Sequence, residues 1–168
     1  MKKKYLFWIT GLPGSGKTTI AKKIHNKIQN RYGPTIEISG DDLRKIFSLK
    51  KYDLKNRVLY AKLYSKFCKL LLKKNYNVLF STVSLFHEVQ AWNRKNINGY
   101  VEIYIKSNIK NIIKLNKKKI YQKKTNLMGV DLSPQFPKRP NIKIINTFKK
   151  NTNQVSIELL KKILKKIK

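Results

Sequence analysis

The chain has 168 residues, 41% of them hydrophobic, which is enough to bury the core of one domain without disulfide bonds. Its formal net charge of +31 comes almost entirely from lysines spread along the chain, whereas a nucleic-acid surface is typically built from clustered arginines and interleaved aromatic residues, so we expect no specific nucleic-acid partner. A single cysteine, Cys68, excludes an internal disulfide, and no apolar run approaches the roughly 18 residues of a membrane span, so we expect a cytoplasmic protein without a membrane partner.

Short apolar runs alternate with stretches of helical periodicity along the chain. The predicted strands are Tyr5–Thr10, Thr35–Ile38, Asn77–Val83, Tyr100–Lys106 and Asn141–Ile145. The predicted helices are Lys17–Asn30, Asp41–Phe47, Leu54–Lys74, Phe86–Ile97, Asn108–Lys119 and Asn153–Lys168. This alternation is typical of an α/β fold, so we predict a single domain over residues 1–168 with three layers, a parallel sheet of about five strands and helices on both faces. Ligands of such sheets bind beyond the carboxyl ends of the strands.

Residues 117–140 fit neither a helix nor a strand. This segment begins with a lysine-rich run and carries Pro134, Pro137 and Pro140 near its end. Proline disfavours helix interiors and central strands, and so long a connection is uncommon in a compact domain unless it has a function. We predict a lid loop that closes over a site of phosphoryl transfer. A lysine-rich loop without a function is the alternative.

Residues 11–18 read Gly-Leu-Pro-Gly-Ser-Gly-Lys-Thr, a complete G-x-x-x-x-G-K-[ST] phosphate loop between the first predicted strand and the first predicted helix. The glycines allow a backbone in which successive N–H groups face an anion, and the helix that follows points its positive end at the same place. Lys17 can reach the β- and γ-phosphates, and the Thr18 hydroxyl is placed to ligate Mg²⁺. We therefore predict a site for ATP and Mg²⁺. The predicted ATP-binding residues are Gly11, Leu12, Pro13, Gly14, Ser15, Gly16, Lys17, Thr18 and Thr19.

The chain holds only eight carboxylates, so candidates for a general base are few. Asp41 and Asp42 follow the second predicted strand, where a side chain can reach over the phosphate loop. We predict that Asp41 accepts the proton of an attacking hydroxyl or holds a Mg²⁺-bound water, and that Asp42 caps the helix. Arg44 lies on the same helical face as Asp41, and Arg57 lies in the next helix. Two arginines suit a second anion site, for the acceptor of the phosphoryl group.

Aromatic residues accompany these arginines in the sequence. Tyr52 and Tyr60 lie near Arg57 and could stack on a nucleobase, although each could equally be an ordinary half-buried tyrosine. His25 and His87 are far apart and lack the spacing of metal ligands, so no zinc site is predicted.

Together these motifs resemble the adenylyl-sulfate kinase family over about residues 4–147. The matching segments are residues 11–21, 39–44, 52, 56–57, 81–86, 118–123, 127–131 and 134–140. The resemblance implies a kinase that transfers the γ-phosphate of ATP to the ribose 3′-hydroxyl of a nucleotide. It places the catalytic residues at Asp41 and Lys17, and the contacts to Mg²⁺ at Thr18 and Asp41. It also implies a homodimer, by analogy alone.

The resemblance further implies an acceptor site, and here the sequence departs from the family pattern. The implied substrate-binding residues are Arg44, Tyr52, Arg57, Tyr60, Ser84, Leu85, Lys123 and Leu127. Ser39 stands where the family has an acidic residue, Tyr60 replaces an asparagine, Leu85 a proline and Leu127 an aromatic ring. All four changes lie on the acceptor side, while the ATP side is intact, so we expect the same reaction on a different acceptor.

A branch that resembles this family, cytidine diphosphoramidate kinase of capsular polysaccharide modification, offers such an acceptor, and we favour it. Adenylyl sulfate is the alternative acceptor. A P-loop ATPase with an RNA-binding or regulatory role is an alternative of another class, and a family member that has lost its activity is a third.

Overall fold

The computed structural model describes residues 3–115 and 126–167. Within them the chain forms a five-stranded sheet with the strand order β2-β3-β1-β4-β5. The strands are β1 (Leu6–Thr10), β2 (Thr35–Ser39), β3 (Asn77–Thr82), β4 (Tyr100–Lys106) and β5 (Ile142–Ile145). Every neighbouring pair is parallel, which confirms the predicted α/β fold.

Six helices surround the sheet in the described part of the chain. They are α1 (Lys17–Tyr32), α2 (Gly40–Ile46), α3 (Leu54–Lys73), α4 (His87–Asn96), α5 (Ile109–Leu115) and α6 (Thr152–Lys166). Each predicted helix and strand is present, and the bounds differ by at most two residues, except that the predicted last residues of α5 and α6, Lys119 and Lys168, lie outside the described residues. In these two ranges no helix combines the length and the apolar character that crossing a membrane requires.

The two faces of the sheet bury different apolar clusters, because side chains alternate along each strand. On one face Leu6 and Trp8 of β1 pack with residues of α3 and α4, including Cys68. On the other face Phe7 and Ile9 pack against α1 and α6. The helices therefore form a layer on each side of the sheet, as predicted. Burial raises the pKa of the Cys68 thiol, so this cysteine is a core residue rather than a reactive one.

At the amino edge of the sheet, the buried side chain of Asn77 holds separate segments together. Its Nδ2 donates to the carbonyl oxygens of Tyr32 at 3.0 Å and of Gly33 and Pro34 at 3.3 Å each. Its Oδ1 accepts from the backbone N–H of Tyr5 at 2.9 Å. Because Asn77 is fully buried, water cannot replace these bonds when the side chain is removed.

We predict that Asn77→Ala lowers the free energy of unfolding by about 2–3 kcal/mol, since a buried polar group without a partner costs about 1–3 kcal/mol. Urea denaturation measures the change. Asn30→Ala, on the exposed face of α1, is the control and should change the free energy by less than about 0.5 kcal/mol. An equally small effect at Asn77 would contradict this account.

Candidate active site

The segment between β1 and α1 has the backbone of an anion-binding loop. Gly14 and Gly16 have φ angles of +76° and +93°, which L side chains rarely adopt. Gly16 is the residue that precedes α1, and no side chain caps that end of the helix. The first N–H groups of α1 therefore remain available to a ligand, and the helix dipole favours an anion there.

Lys17 and Thr18, the first residues of α1, direct polar groups to this loop. Lys17 is buried, and its Nζ donates to the carbonyl oxygen of Leu12 at 2.7 Å. The Thr18 hydroxyl lies 3.1 Å from the hydroxyl of Ser81 in β3. Ser81 thus belongs to the candidate site, although the sequence prediction did not include it.

The donor set at this edge of the sheet fits Mg²⁺. The hydroxyls of Thr18 and Ser81 and the carboxylate of Asp41 are oxygen groups, which this ion prefers. No group of three or more His, Cys, Asp or Glu side chains within residues 3–115 and 126–167 could hold a metal ion by itself. Mg²⁺ would therefore be held jointly with the oxygens of a triphosphate, which is how it commonly binds in kinases.

A capping box at the start of α2 fixes the turn that carries Asp41. The Asp42 N–H donates to the Ser39 hydroxyl at 3.2 Å, while the Ser39 hydroxyl and N–H donate to one Asp42 carboxylate oxygen at 2.6 and 2.8 Å. Asp42 thus has the capping role predicted for it, but the N-cap itself is Ser39. The Asp41 side chain is exposed and forms no hydrogen bond or ion pair with another described residue. It is therefore available to a ligand.

Two arginines lie against the same tyrosine ring beyond α2. The guanidinium carbon of Arg44 lies 4.1 Å from the ring centroid of Tyr52 and 5.0 Å from that of Tyr60, and that of Arg57 lies 5.3 Å from Tyr52. Arg44 also donates to the carbonyl oxygen of Leu49 at 2.8 Å. Neither arginine forms an ion pair with a carboxylate in the described part of the chain. Both charges therefore remain open to an anionic ligand.

Electrostatics link this arginine pair to Asp41. Burial lowers the pKa of Arg57, the charge of Arg44 lowers it further, and the charge of Asp41 raises it. Arg57 nevertheless stays protonated at neutral pH, because an arginine side chain is not deprotonated in proteins under these conditions. The predicted base and the predicted acceptor arginines thus lie within electrostatic reach of one another.

The remaining predicted acceptor residues occupy less open positions. Ser84 is buried with its hydroxyl unpaired among the described residues, and its carbonyl oxygen accepts from Thr10 at 3.1 Å. Leu85 is completely buried in the core and Leu127 is 6% exposed, so neither side chain presents an open surface. Lys123 lies outside the described residues.

The second part of the predicted lid, residues 126–140, packs against α3 and α4. The Asn126 carbonyl oxygen accepts from Arg57 at 2.8 Å. The Gln135 side chain accepts from the His87 N–H at 2.7 Å, and its backbone carbonyl accepts from Gln90 at 3.1 Å. The start of residues 126–140 thus reaches Arg57 of the candidate acceptor site, and Gln135 holds the later part against α4. Residues 117–125 lie outside the described ranges, so closure of a lid stays a prediction.

A second residue that the sequence prediction missed is Asn146, which directly follows β5. Its Nδ2 donates to the carbonyl oxygen of Ser15 in the phosphate loop at 3.1 Å. The available signal was a polar residue at the carboxyl end of an apolar strand, the same signal that singles out Asp41 and Asp42. Sheet order, which the sequence alone did not supply, is needed to bring Asn146 to the loop.

One edge of the parallel sheet carries a phosphate loop with a buried lysine, a free carboxylate and an arginine pair. This combination defines a nucleotide-dependent phosphotransferase of the P-loop class. The family model described as adenylylsulphate kinase matches residues 3–145. The chain belongs to the adenylylsulphate kinase family, and it is a kinase. The resemblance found in the sequence is thereby confirmed.

Individual relatives agree with this family. The chain is 35% identical to the cytidine diphosphoramidate kinase of Campylobacter jejuni over 165 residues. This match covers 95% of this chain and 96% of the relative. It is 28% identical over 152 residues to a probable adenylyl-sulfate kinase of Pyrococcus abyssi, covering 83% and 84% of the two chains. The solved structure of the Mycobacterium tuberculosis APS kinase CysC in complex with AMPPNP and APS shares the fold, with a TM-score of 0.85, 22% identity and coverage of 98% and 99%.

The capping box gives a pH-dependent prediction. The Ser39 hydroxyl, which donates to the Asp42 carboxylate, lowers the pKa of Asp42 below its ordinary value of 3.8. The cap therefore contributes its full stability above pH 3.8 and loses it as the pH falls through the lowered pKa. We expect Asp42→Asn to lower the free energy of unfolding at neutral pH by about 0.5–1 kcal/mol. The loss should lie near the smaller of these values, because water screens the charge of this exposed carboxylate.

Urea denaturation of the wild type and Asp42→Asn at about pH 7 and about pH 3 measures this effect, and the two proteins should differ less at the lower pH. Asp41→Asn, outside the cap, is the matched control and should cost less stability at neutral pH. Equal losses in the two variants would show that the cap is not the cause.

Proposed function

We propose that this kinase transfers the γ-phosphate of ATP to the ribose 3′-hydroxyl of cytidine diphosphoramidate. The observation that carries the choice of acceptor is the 35% identity, over 95% of the chain, to the Campylobacter jejuni kinase named for that nucleotide. Adenylyl sulfate is the second candidate, because kinases named for it share 28% and 26% identity with most of the chain. The proposals of a cytoplasmic location and of a homodimer rest on the sequence and the family alone.

In this proposal the phosphate loop and α1 bind the triphosphate. The N–H groups of the loop and the first turn of α1 donate to the β-phosphate. The Lys17 ammonium, now on the Leu12 carbonyl oxygen, moves to the β- and γ-phosphates and balances the charge that develops during transfer. Thr18, Ser81 and Asp41 would hold Mg²⁺ together with the triphosphate, and the ion would supply further charge neutralisation when bound.

Asp41 acts on the acceptor. Its carboxylate accepts the proton of the 3′-hydroxyl while that oxygen attacks the γ-phosphorus, and the bond from the γ-phosphorus to the β–γ bridging oxygen breaks to release ADP. The Asp41 carboxylate is exposed, forms no hydrogen bond or ion pair with another described residue, and acts electrostatically on Arg57, which supports this role. Water must be kept out during the step, and residues 117–140, with Lys123 as a further cation, are proposed to do so.

Arg44 and Arg57 are proposed to bind the phosphoryl groups of the acceptor. A planar guanidinium can contact a phosphate through two N–H groups. Arg44 lies over the rings of Tyr52 and Tyr60, its Nη1 donates to backbone carbonyl oxygens, and no carboxylate among the described residues neutralises its charge. The base is proposed to lie near Tyr52, with Ser84, Leu85 and Leu127 behind it. An aliphatic Leu127 in place of a second ring suits a small pyrimidine at least as well as a purine.

We predict that Lys17→Ala abolishes transfer and that Asp41→Asn lowers kcat by about 10²–10⁴-fold, the usual contribution of a general base. Steady-state assays with radiolabelled ATP measure both effects. Asp42→Asn, one residue further along the same turn but engaged in the cap, is the matched control and should retain kcat within about tenfold of the wild type. Near-normal turnover of Asp41→Asn would remove the base from this mechanism.

The acceptor is tested by assaying cytidine diphosphoramidate and adenylyl sulfate side by side. We expect kcat/KM to favour cytidine diphosphoramidate by at least about tenfold, a difference of roughly 1.4 kcal/mol in transition-state binding. Equal or better use of adenylyl sulfate would contradict the choice of acceptor. Hydrolysis of ATP without transfer to either nucleotide, together with salt-dependent binding to RNA, would favour the RNA-binding alternative.

A further inference from the structure

Asn146 is held from several sides at the carboxyl edge of the sheet. It is 7% exposed, and its side chain donates to Ser15 and accepts from the backbone N–H of Phe148, each at 3.1 Å. Its own backbone N–H donates to the carbonyl oxygen of Lys106 at the end of β4, at 2.8 Å. The side chain is thus a fixed link between the end of the sheet and the phosphate loop.

The link determines the orientation of one peptide unit in the loop. In a trans peptide the carbonyl of one residue and the N–H of the next point in opposite directions. The Ser15 carbonyl points to Asn146, so the N–H of Gly16 points away from Asn146. Gly16 begins the left-handed turn into α1, and a Cβ on it would lie only 3.2 Å from Nδ2 of Asn146. The absence of a side chain at Gly16 lets the asparagine approach this closely.

We propose that Asn146 is a positioning residue of the ATP site: by holding the Ser15 carbonyl, it keeps the Gly16 N–H turned toward the phosphates. The inference rests on the proposed function, because it assumes that the loop binds ATP. In this proposal Asn146 acts through the loop and not through a contact of its own with the nucleotide. Its contribution is that the loop does not have to reorient this peptide when the nucleotide binds.

Asn146→Ser tests this role selectively. A serine hydroxyl can still accept from the N–H two residues along the chain, as Asn146 does from Phe148, but it is too short to reach Ser15. Calorimetry with Mg²⁺ and AMPPNP should then show binding weakened by about tenfold, the effect of one net hydrogen bond. In steady-state assays KM for ATP should rise, while KM for the acceptor should stay unchanged. Asn146→Ala should behave similarly.

Asn77→Ala is the matched control, because Asn77 is also a buried asparagine that links backbone segments, but at the opposite edge of the sheet. It should lower Tm and leave the Kd for AMPPNP unchanged. If Asn146→Ser binds AMPPNP within about twofold of the wild type, which is well below one net hydrogen bond, the positioning role is overturned and the proposed function stands. If the wild type itself does not bind AMPPNP, both the proposed function and this inference fall.

Discussion

Parallel pairing of β1 with β3 on one side and with β4 on the other brings the ends of these strands to one edge of the sheet. From that edge the chain continues into the phosphate loop after β1, into α2 after β2, and to Asn146 after β5. The strands themselves are apolar and buried, so polar groups are concentrated where the strands end. The candidate site is therefore a consequence of strand direction and strand order.

The proposed ATP side and the proposed acceptor side of the candidate site differ in the groups that would bind an anion. On the proposed ATP side, the N–H groups that begin α1 carry no side-chain cap, and the buried Lys17 lies on the backbone of the same loop, so both would be available to a polyanion. On the acceptor side, two arginines are held side by side by tyrosine rings and backbone carbonyls instead of by carboxylates. Such a pair stabilises a bound anion more than it stabilises the free protein. The Ser39 substitution also has a structural role, because this serine is the N-cap of α2, so the departure from an acidic residue does not by itself indicate a lost activity.

Local patterns in the sequence predicted much of this structure. Apolar periodicity located every helix and strand that the structure describes, and the spacing of the glycines, lysine and threonine located the phosphate loop. Contacts between distant residues were not predictable in the same way. The pair Thr18 and Ser81 is separated by 63 residues, and Asn146 and Ser15 by 131 residues, so both contacts depend on the strand order. The sequence did not identify Ser39 as the N-cap of α2, for a different reason. Ser39, Asp41 and Asp42 are all residue types that commonly begin a helix, and only the observed backbone shows which of them is the N-cap.

We propose above all that one edge of the sheet binds both substrates, with ATP at the phosphate loop and the acceptor at Asp41, Arg44 and Arg57. A crystal structure of the protein with Mg²⁺, AMPPNP and cytidine diphosphoramidate tests it most directly. The account predicts the γ-phosphate at Lys17, the acceptor phosphoryl groups on Arg44 and Arg57, and the ribose 3′-hydroxyl within hydrogen-bond distance of Asp41. A nucleotide bound away from the phosphate loop, or an acceptor that contacts neither arginine, would contradict it.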